Sequence, residues 1–102
     1  MFVIIAGGGR TGAQLAKSLI AIDHKVRVVE HRPEILARIH KELPTETIVT
    51  GNPLDVNILE QADIQHAQVF AATTPKDAEN LALCYLARER YKVKRTIARV
   101  NN

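Results

Sequence analysis

The segment that decides the fold is FVIIAGGGRTG, which covers residues 2–12. A continuous apolar run leads into a glycine-rich turn, and Gly7, Gly9 and Gly12 form the pattern G-x-G-x-x-G. In a strand–turn–helix unit the first glycine permits the tight turn, the second lets a pyrophosphate approach the backbone, and the third lets the helix pack closely on the sheet. The segment therefore predicts a strand, a phosphate-binding loop and the start of a helix.

Short apolar runs rich in Val and Ile recur along the 102-residue chain, and stretches with helical periodicity separate them. The runs are mostly continuous, as in strands buried on both faces of a parallel sheet. The predicted strands are Phe2–Ala6, Val26–Val29, Thr47–Thr50, Gln68–Thr73 and Thr96–Val100. Right-handed crossovers then predict an α/β fold in a single domain: a Rossmann-type, doubly wound parallel sheet of five strands in the order 3-2-1-4-5, with four helices.

Proline and small polar residues predict where three of the helices begin. Proline is favoured at the first helical position, and a Ser, Thr, Asp or Asn followed three residues later by an acid resembles a capping box. The prolines expected at first helical positions are Pro33, Pro53 and Pro75. The pairs expected as capping boxes are Asn52 with Asp55, and Thr74 with Asp77.

An acidic residue, Glu30, closes the second predicted strand, 18 positions after Gly12. A carboxylate there accepts hydrogen bonds from the adenosine ribose and repels a 2′-phosphate, so NAD(H) or a plain adenine nucleotide is favoured over NADP(H). Arg32 leaves three alternatives open, because an arginine nearby accommodates a 2′-phosphate, stacks on adenine or faces solvent. His31 is expected at the edge of the ligand at most.

Further candidates follow from the other loops at the carboxyl edge of the predicted sheet. Arg10 stands at the mouth of the glycine loop and is expected to contact a phosphate. The turn at residues 51–53 passes the adenine end or caps a helix, and Thr73 and Thr74 contact the pyrophosphate or the second ribose. Asp77 is expected to cap a helix first and to bind ligand only as an alternative. The candidate nucleotide-binding residues are Gly7, Gly8, Gly9, Arg10, Thr11, Gly12, Glu30, His31, Arg32, Asn52, Pro53, Thr73, Thr74 and Asp77.

The composition narrows the class of protein. It is 46% hydrophobic and 25% charged, which is ordinary for a folded soluble domain. No apolar run approaches the roughly 20 residues needed to cross a bilayer. The only cysteine, Cys84, excludes an internal disulfide and fits a reducing cytoplasm. The four histidines do not lie at metal-ligand spacing, and no Tyr-x-x-x-Lys pair is present. Ser18 lies inside the first predicted helix with no base implied nearby, and Cys84 is expected in or near the core, so we predict neither a metal site nor an enzyme.

The net charge is +3, and much of the excess lies near the C-terminus in Arg88, Arg90, Lys92, Lys94, Arg95 and Arg99. A nucleic-acid surface is one interpretation, but only 4% of the residues are aromatic, so stacking platforms are scarce. We favour a solvated helix end whose cations complement the helix dipole, and we expect no nucleic-acid partner.

These residues resemble the nucleotide-binding module of potassium-transport regulators, known as the TrkA-N, KTN or RCK N-terminal domain. The matching segments are residues 5–12 (IAGGGRTG), 28–30 (VVE), 51–53 (GNP), 72–74 (ATT) with Asp77 and Asn80, and 97–100 (IARV). The resemblance covers essentially the whole chain. The sequence departs from the family at Asn52, where the family commonly has Asp. The chain ends directly after the fifth predicted strand, so we expect residues 1–102 to be one such domain truncated at that point.

The resemblance implies a cytoplasmic regulatory module, peripheral at the inner face of the membrane, that binds NAD(H), ATP, ADP or AMP and controls a potassium channel or transporter. It also implies self-association into dimers or a higher ring. Within it, Arg10 reaches phosphates, Glu30 holds ribose, Asn52 lies near adenine, and Thr73 and Thr74 line the phosphate side. The alternative hypotheses are the cofactor-binding half of an NAD-dependent oxidoreductase and a small nucleic-acid binder.

Overall fold

A parallel five-stranded sheet forms the centre of the protein, which we describe over residues 1–101 from a computed structural model. In chain order the strands are β1 (Phe2–Ala6), β2 (Lys25–Glu30), β3 (Ile48–Thr50), β4 (Val69–Ala72) and β5 (Arg95–Ala98). Their order across the sheet is β3-β2-β1-β4-β5, which confirms the predicted doubly wound sheet. The predicted strand bounds differ from the observed ones by at most two residues.

Four α-helices connect the strands, as the sequence predicts. They are α1 (Arg10–Ala21), α2 (Pro33–Glu42), α3 (Val56–Gln61) and α4 (Asp77–Tyr91). Short 3-10 turns at Thr45–Thr47 and Ile64–His66 lead into β3 and β4. Because β1 pairs with both β2 and β4, the direction of strand addition reverses at β1, and a crevice opens beside the carboxyl ends of β1 and β4.

Each face of the sheet has its own apolar core. Val3, Ile5 and Val28 contribute to one face, where they pack with Ile39 of α2 and the small side chains of α1. The next residues along the strands, such as Ile4, point to the opposite face and pack with the residues of α3 and α4. Burial of each large side chain contributes about 1.5–3 kcal/mol. The two cores fix the strand ends that carry the candidate site.

The helix starts follow the predictions only in part. Pro33 is the first residue of α2, as expected. Pro53 is not the first residue of α3, which begins at Val56, and the predicted Asn52–Asp55 capping box is wrong. Asn52 Oδ1 instead accepts a hydrogen bond from the backbone N–H of Leu54 at 2.9 Å, so it closes a local turn before the helix. Asp55 itself is the N-cap residue of α3.

The start of α4 also differs from the prediction. The helix begins at Asp77 rather than Pro75, and no side chain caps it, so the predicted Thr74–Asp77 box is wrong. The physical reason is that the side chains of Thr74 and Asp77 both make hydrogen bonds to other residues instead of capping the helix. The Thr74 hydroxyl donates to Asn80 Oδ1 at 2.8 Å, and Asp77 Oδ1 accepts from both nitrogens of Asn101 at 2.8 Å. These bonds hold the pKa of Asp77 below its usual value and tie the end of the described chain to α4.

Candidate nucleotide-binding site

The glycine loop has the backbone geometry that its sequence predicts. Gly7 has φ = +106°, a conformation that favours glycine, and a Cβ there would lie 3.0 Å from the carbonyl of Thr73. A Cβ on Gly12 would lie only 2.0 Å from the carbonyl oxygen of Gly7. This contact confirms that Gly12 is required for the close approach of α1 to the loop.

The first turn of α1 leaves backbone donors available. Gly9 is the N-cap residue, and no side chain caps the helix. Within residues 1–101, the backbone N–H groups of Arg10 and Thr11 have no acceptor. Unpaired donors at a helix N-terminus, together with the helix dipole, favour an anion at this position.

Glu30 lies at the end of β2, and its side chain accepts more hydrogen bonds than any other side chain of the site. Its side chain is 2% exposed. Oε1 accepts from the backbone N–H of Gly8 at 2.7 Å, and Oε2 accepts from the backbone N–H groups of His31 and Arg32 at 2.9 and 3.0 Å. The Arg32 guanidinium adds two bonds, from Nε to Oε2 at 3.0 Å and from Nη2 to Oε1 at 2.9 Å.

These contacts decide the charge of the carboxyl group. Burial raises the pKa of Glu30, but the hydrogen bonds from Arg32, Gly8 and His31 outweigh it and bring the pKa from 4.5 to about 2. In the same pair the hydrogen bond that Arg32 donates to Glu30 raises the pKa of Arg32. The site therefore holds a carboxylate and a guanidinium at neutral pH.

A second buried polar group, Asn80 of α4, organises the loop that follows β4. Asn80 is fully buried, and its Oδ1 accepts from the Thr74 backbone N–H at 2.9 Å and from the Thr74 hydroxyl. Its Nδ2 donates to the carbonyls of Thr74 and Arg99 at 3.0 Å each. One amide thus joins the ends of β4 and β5 and fixes Thr74 at the crevice.

Six of the predicted residues come together around one cleft of about 320 Å³ at the carboxyl edge of the sheet. They are Gly7, Glu30, His31, Arg32, Asn52 and Thr74. The other lining residues were not predicted as part of the site: Pro75 was expected only at a helix start, and Leu54, Lys76 and Glu79 have no distinctive pattern in the sequence. Lys76 and Glu79 lie in the α4 start, whose position was predicted two residues too early.

The other predicted residues lie beside or beneath this cleft. Arg10 is exposed and lines a separate depression between α1 and α2, together with Lys17, Arg38 and Glu42. Thr11 is exposed at the start of α1, and Pro53 is buried in the turn after β3. Thr73 is also buried, and its hydroxyl donates to the carbonyls of Ala6 and Gly7 at 3.3 and 2.9 Å.

Two residues important to the loop's structure were not predicted from the sequence pattern. Arg38 of α2 donates from Nη2 to the carbonyl of Gly8 at 3.2 Å and so links α2 to the glycine loop. Asn80 was noted only as part of the resemblance. The sequence did contain one indication: Asn80 is a polar residue in the otherwise apolar stripe of α4, beside Leu83 and Cys84. A polar residue in such a stripe is expected to be buried and hydrogen-bonded.

A doubly wound parallel sheet, with a glycine loop before its first helix and a cleft at the strand reversal, defines a Rossmann-type module of the class that binds nucleotides. The sequence profile of the TrkA-N domain matches residues 3–102. The chain belongs to the TrkA-N domain family.

Similar proteins carry names from potassium uptake. The chain is 42% identical over 102 residues to a Trk system potassium uptake protein TrkA homolog of Methanothermobacter thermautotrophicus. The alignment covers all of this chain and 46% of that protein. A homolog of the same name from Pyrococcus abyssi is 34% identical, with 100% and 44% covered. The chain thus spans about half the length of these relatives.

Solved structures share the fold. The TrkA-N domain of the inner membrane protein YbaL from Escherichia coli has a TM-score of 0.80 at 22% identity, covering 93% of this chain and 69% of that one. The Kef CTD of Shewanella denitrificans in its AMP-bound form has a TM-score of 0.83 at 23% identity, covering 100% and 60%. At these identities the likeness supports the fold alone.

Residues 1–101 contain neither a candidate membrane span nor a candidate metal site. None of the helices in that range has the length and apolar character needed to span a membrane. No group of three or more His, Cys, Asp or Glu side chains in the same range is arranged to hold a metal ion.

Proposed function

We propose that this chain is an adenine-nucleotide-binding regulatory module of a potassium transport system. The ligand is NAD(H) or one of the mononucleotides AMP, ADP and ATP. The observation that carries the proposal is the ionised, buried carboxylate of Glu30, which lines the cleft and accepts a hydrogen bond from Gly8 of the glycine loop. A carboxylate at the end of the second strand is the group that accepts hydrogen bonds from the adenosine ribose.

In this proposal each part of the ligand meets a different part of the site. The ribose hydroxyls donate to Glu30, and the phosphates lie against the free backbone N–H groups of Arg10 and Thr11. Asn52 and Leu54 line the adenine end of the cleft, and Thr74 lines the side next to the loop after β4. The Asn52 amide nitrogen has no acceptor among residues 1–101, so it is available to donate to an adenine ring nitrogen.

The partner in this proposal is the membrane subunit of a potassium channel or transporter. It is supported by family membership and by the names of the relatives, Trk system potassium uptake proteins. We propose further that the module is cytoplasmic, lies at the inner face of the membrane, self-associates, and regulates rather than catalyses. Regulation requires that the nucleotide bind two arrangements of the modules with different affinities.

Calorimetric titration of the purified chain with NADH, NAD⁺, NADPH, AMP, ADP and ATP tests the binding step. We expect at least one adenine nucleotide to bind, NADPH to bind more weakly than NADH, and Glu30→Ala and Arg10→Ala to weaken binding. Glu46→Ala is the matched control, because Glu46 is exposed and makes no hydrogen bond or ion pair within residues 1–101. If the folded wild-type chain binds none of these nucleotides, the proposal is wrong.

A further inference from the structure

The Glu30 carboxylate already has a full set of donors within the protein. Three backbone N–H groups and two guanidinium N–H groups occupy its two oxygens. A carboxylate offers about four lone-pair sites, so ribose hydroxyls cannot simply be added to these five bonds. The backbone donors are fixed by the fold, and the Arg32 side chain is the donor that is free to leave.

The Arg32 guanidinium also lies against the glycine loop. Its Nη2 atom is 3.9 Å from the point where a Cβ on Gly9 would stand, and Arg32 lines the cleft with its side chain 30% exposed. Gly9 is the position where the pattern predicts the closest approach of a pyrophosphate. One guanidinium therefore lies between the expected ribose position and the expected phosphate position.

Displacement of Arg32 has different consequences for different ligands. A nucleoside that displaces the guanidinium gains ribose bonds to Glu30 but leaves a cation without its anion. A nucleotide brings a phosphate to the neighbourhood of Gly9, where the displaced guanidinium can make a bidentate, charge-assisted contact with it. The nucleotide thus exchanges one ion pair for another, whereas the nucleoside only loses one.

We infer that Arg32 is a specificity-determining residue: it covers Glu30 in the free protein, moves to the ligand phosphate in the complex, and so makes binding depend on that phosphate. The inference rests on the proposed nucleotide function. It also bears on the alternatives that the sequence left open for Arg32: in the free protein the side chain does not simply face solvent, because it is bonded to the Glu30 carboxylate and covers it. The neighbouring Arg10 lines a different depression and does not take part in this exchange.

The test compares adenosine with AMP on the wild-type chain and on Arg32→Gln. Loss of a charge-assisted contact corresponds to about tenfold or more in affinity, so we expect wild type to prefer AMP over adenosine by at least about tenfold. In Arg32→Gln we expect adenosine to bind as tightly as or more tightly than to wild type, AMP to bind more weakly, and the preference to shrink. Arg32→Lys keeps the charge but not the planar geometry, so an intermediate preference is expected.

Arg95→Gln is the matched control, since Arg95 is exposed at the start of β5, at the opposite edge of the sheet, and does not line the cleft. It removes the same charge and should leave the preference unchanged. An unchanged preference for AMP in folded Arg32→Gln or Arg32→Lys overturns the inference while the nucleotide function stands. Absence of nucleotide binding to wild type overturns both.

Discussion

The change Glu30→Gln tests how the site is held together, because it keeps the side-chain shape and removes only the charge and one acceptor. Oε1 receives two donors, from Gly8 and Arg32, and Oε2 receives three, from His31 and Arg32. An amide nitrogen accepts no hydrogen bond. Whichever oxygen it replaces, at least two donors lose their acceptor and face an N–H₂ group.

The size of the effect follows from the pKa of Glu30. The folded pKa of about 2 is below 4.5, so the ionised group stabilises the fold above pH 4.5, and that contribution is lost as the pH falls toward 2. At about 1.4 kcal/mol for each pH unit, the contribution amounts to about 3 kcal/mol at neutral pH. It should be reduced to about 1 kcal/mol near pH 3.

Urea unfolding of wild type, Glu30→Gln and Glu46→Gln from neutral pH down to about pH 3 measures this contribution. We expect Glu30→Gln to lose about 3 kcal/mol at neutral pH and the difference from wild type to narrow below pH 4.5. The exposed control should remain within about 0.5 kcal/mol of wild type. A loss below about 1 kcal/mol at neutral pH, or a difference that does not narrow in acid, would refute the reasoning.

Three further changes test the parts around Glu30. Gly12→Ala should cost about 1–3 kcal/mol or more by thermal unfolding, because its Cβ would lie 2.0 Å from the Gly7 oxygen, whereas Gly9→Ala meets nothing closer than 3.9 Å and should fold normally. Equal stability of the two variants would contradict this. Asn80→Asp removes two donated hydrogen bonds and should cost about 3 kcal/mol, while Asn57→Asp on the exposed face of α3 should cost less than about 0.5 kcal/mol. If a nucleotide binds as proposed, saturating AMP should raise the melting temperature of wild type but not of Glu30→Ala.

The sequence predicted the sheet well because its determinants are local and repeated. The three central strands, β1, β2 and β4, are short runs made mostly of Val, Ile, Phe or Ala that the two cores bury, and the glycine spacing fixes the turn between β1 and α1. Strand order then follows from right-handed crossovers. The helix starts at Val56 and Asp77 were predicted too early, because the local polar residues form turns and longer-range bonds instead of caps.

The candidate site was predicted in its members more than in its interactions. The spacing from Gly12 identified Glu30, and the structure brings it into one cleft with Asn52 and Thr74. No local pattern indicates that Arg32 turns back onto Glu30 two residues earlier, or that Asn80 bonds to Arg99 across two strand ends. Such pairings depend on side-chain directions that only the assembled sheet defines.

The polar framework around the cleft has a consequence for how ligands are distinguished. Glu30 and Thr74 lie on opposite sides of β1, and each is held by hydrogen bonds to buried partners. The cleft is therefore formed before a ligand arrives, and little binding free energy is needed to order its walls. The exception is the Arg32 side chain, which lines the same cleft between Glu30 and the glycine loop and lies 3.9 Å from the position of a Cβ on Gly9. If the chain binds adenine nucleotides as proposed, discrimination among them should accordingly arise from their phosphates, while the adenosine moiety determines only that the class is recognised.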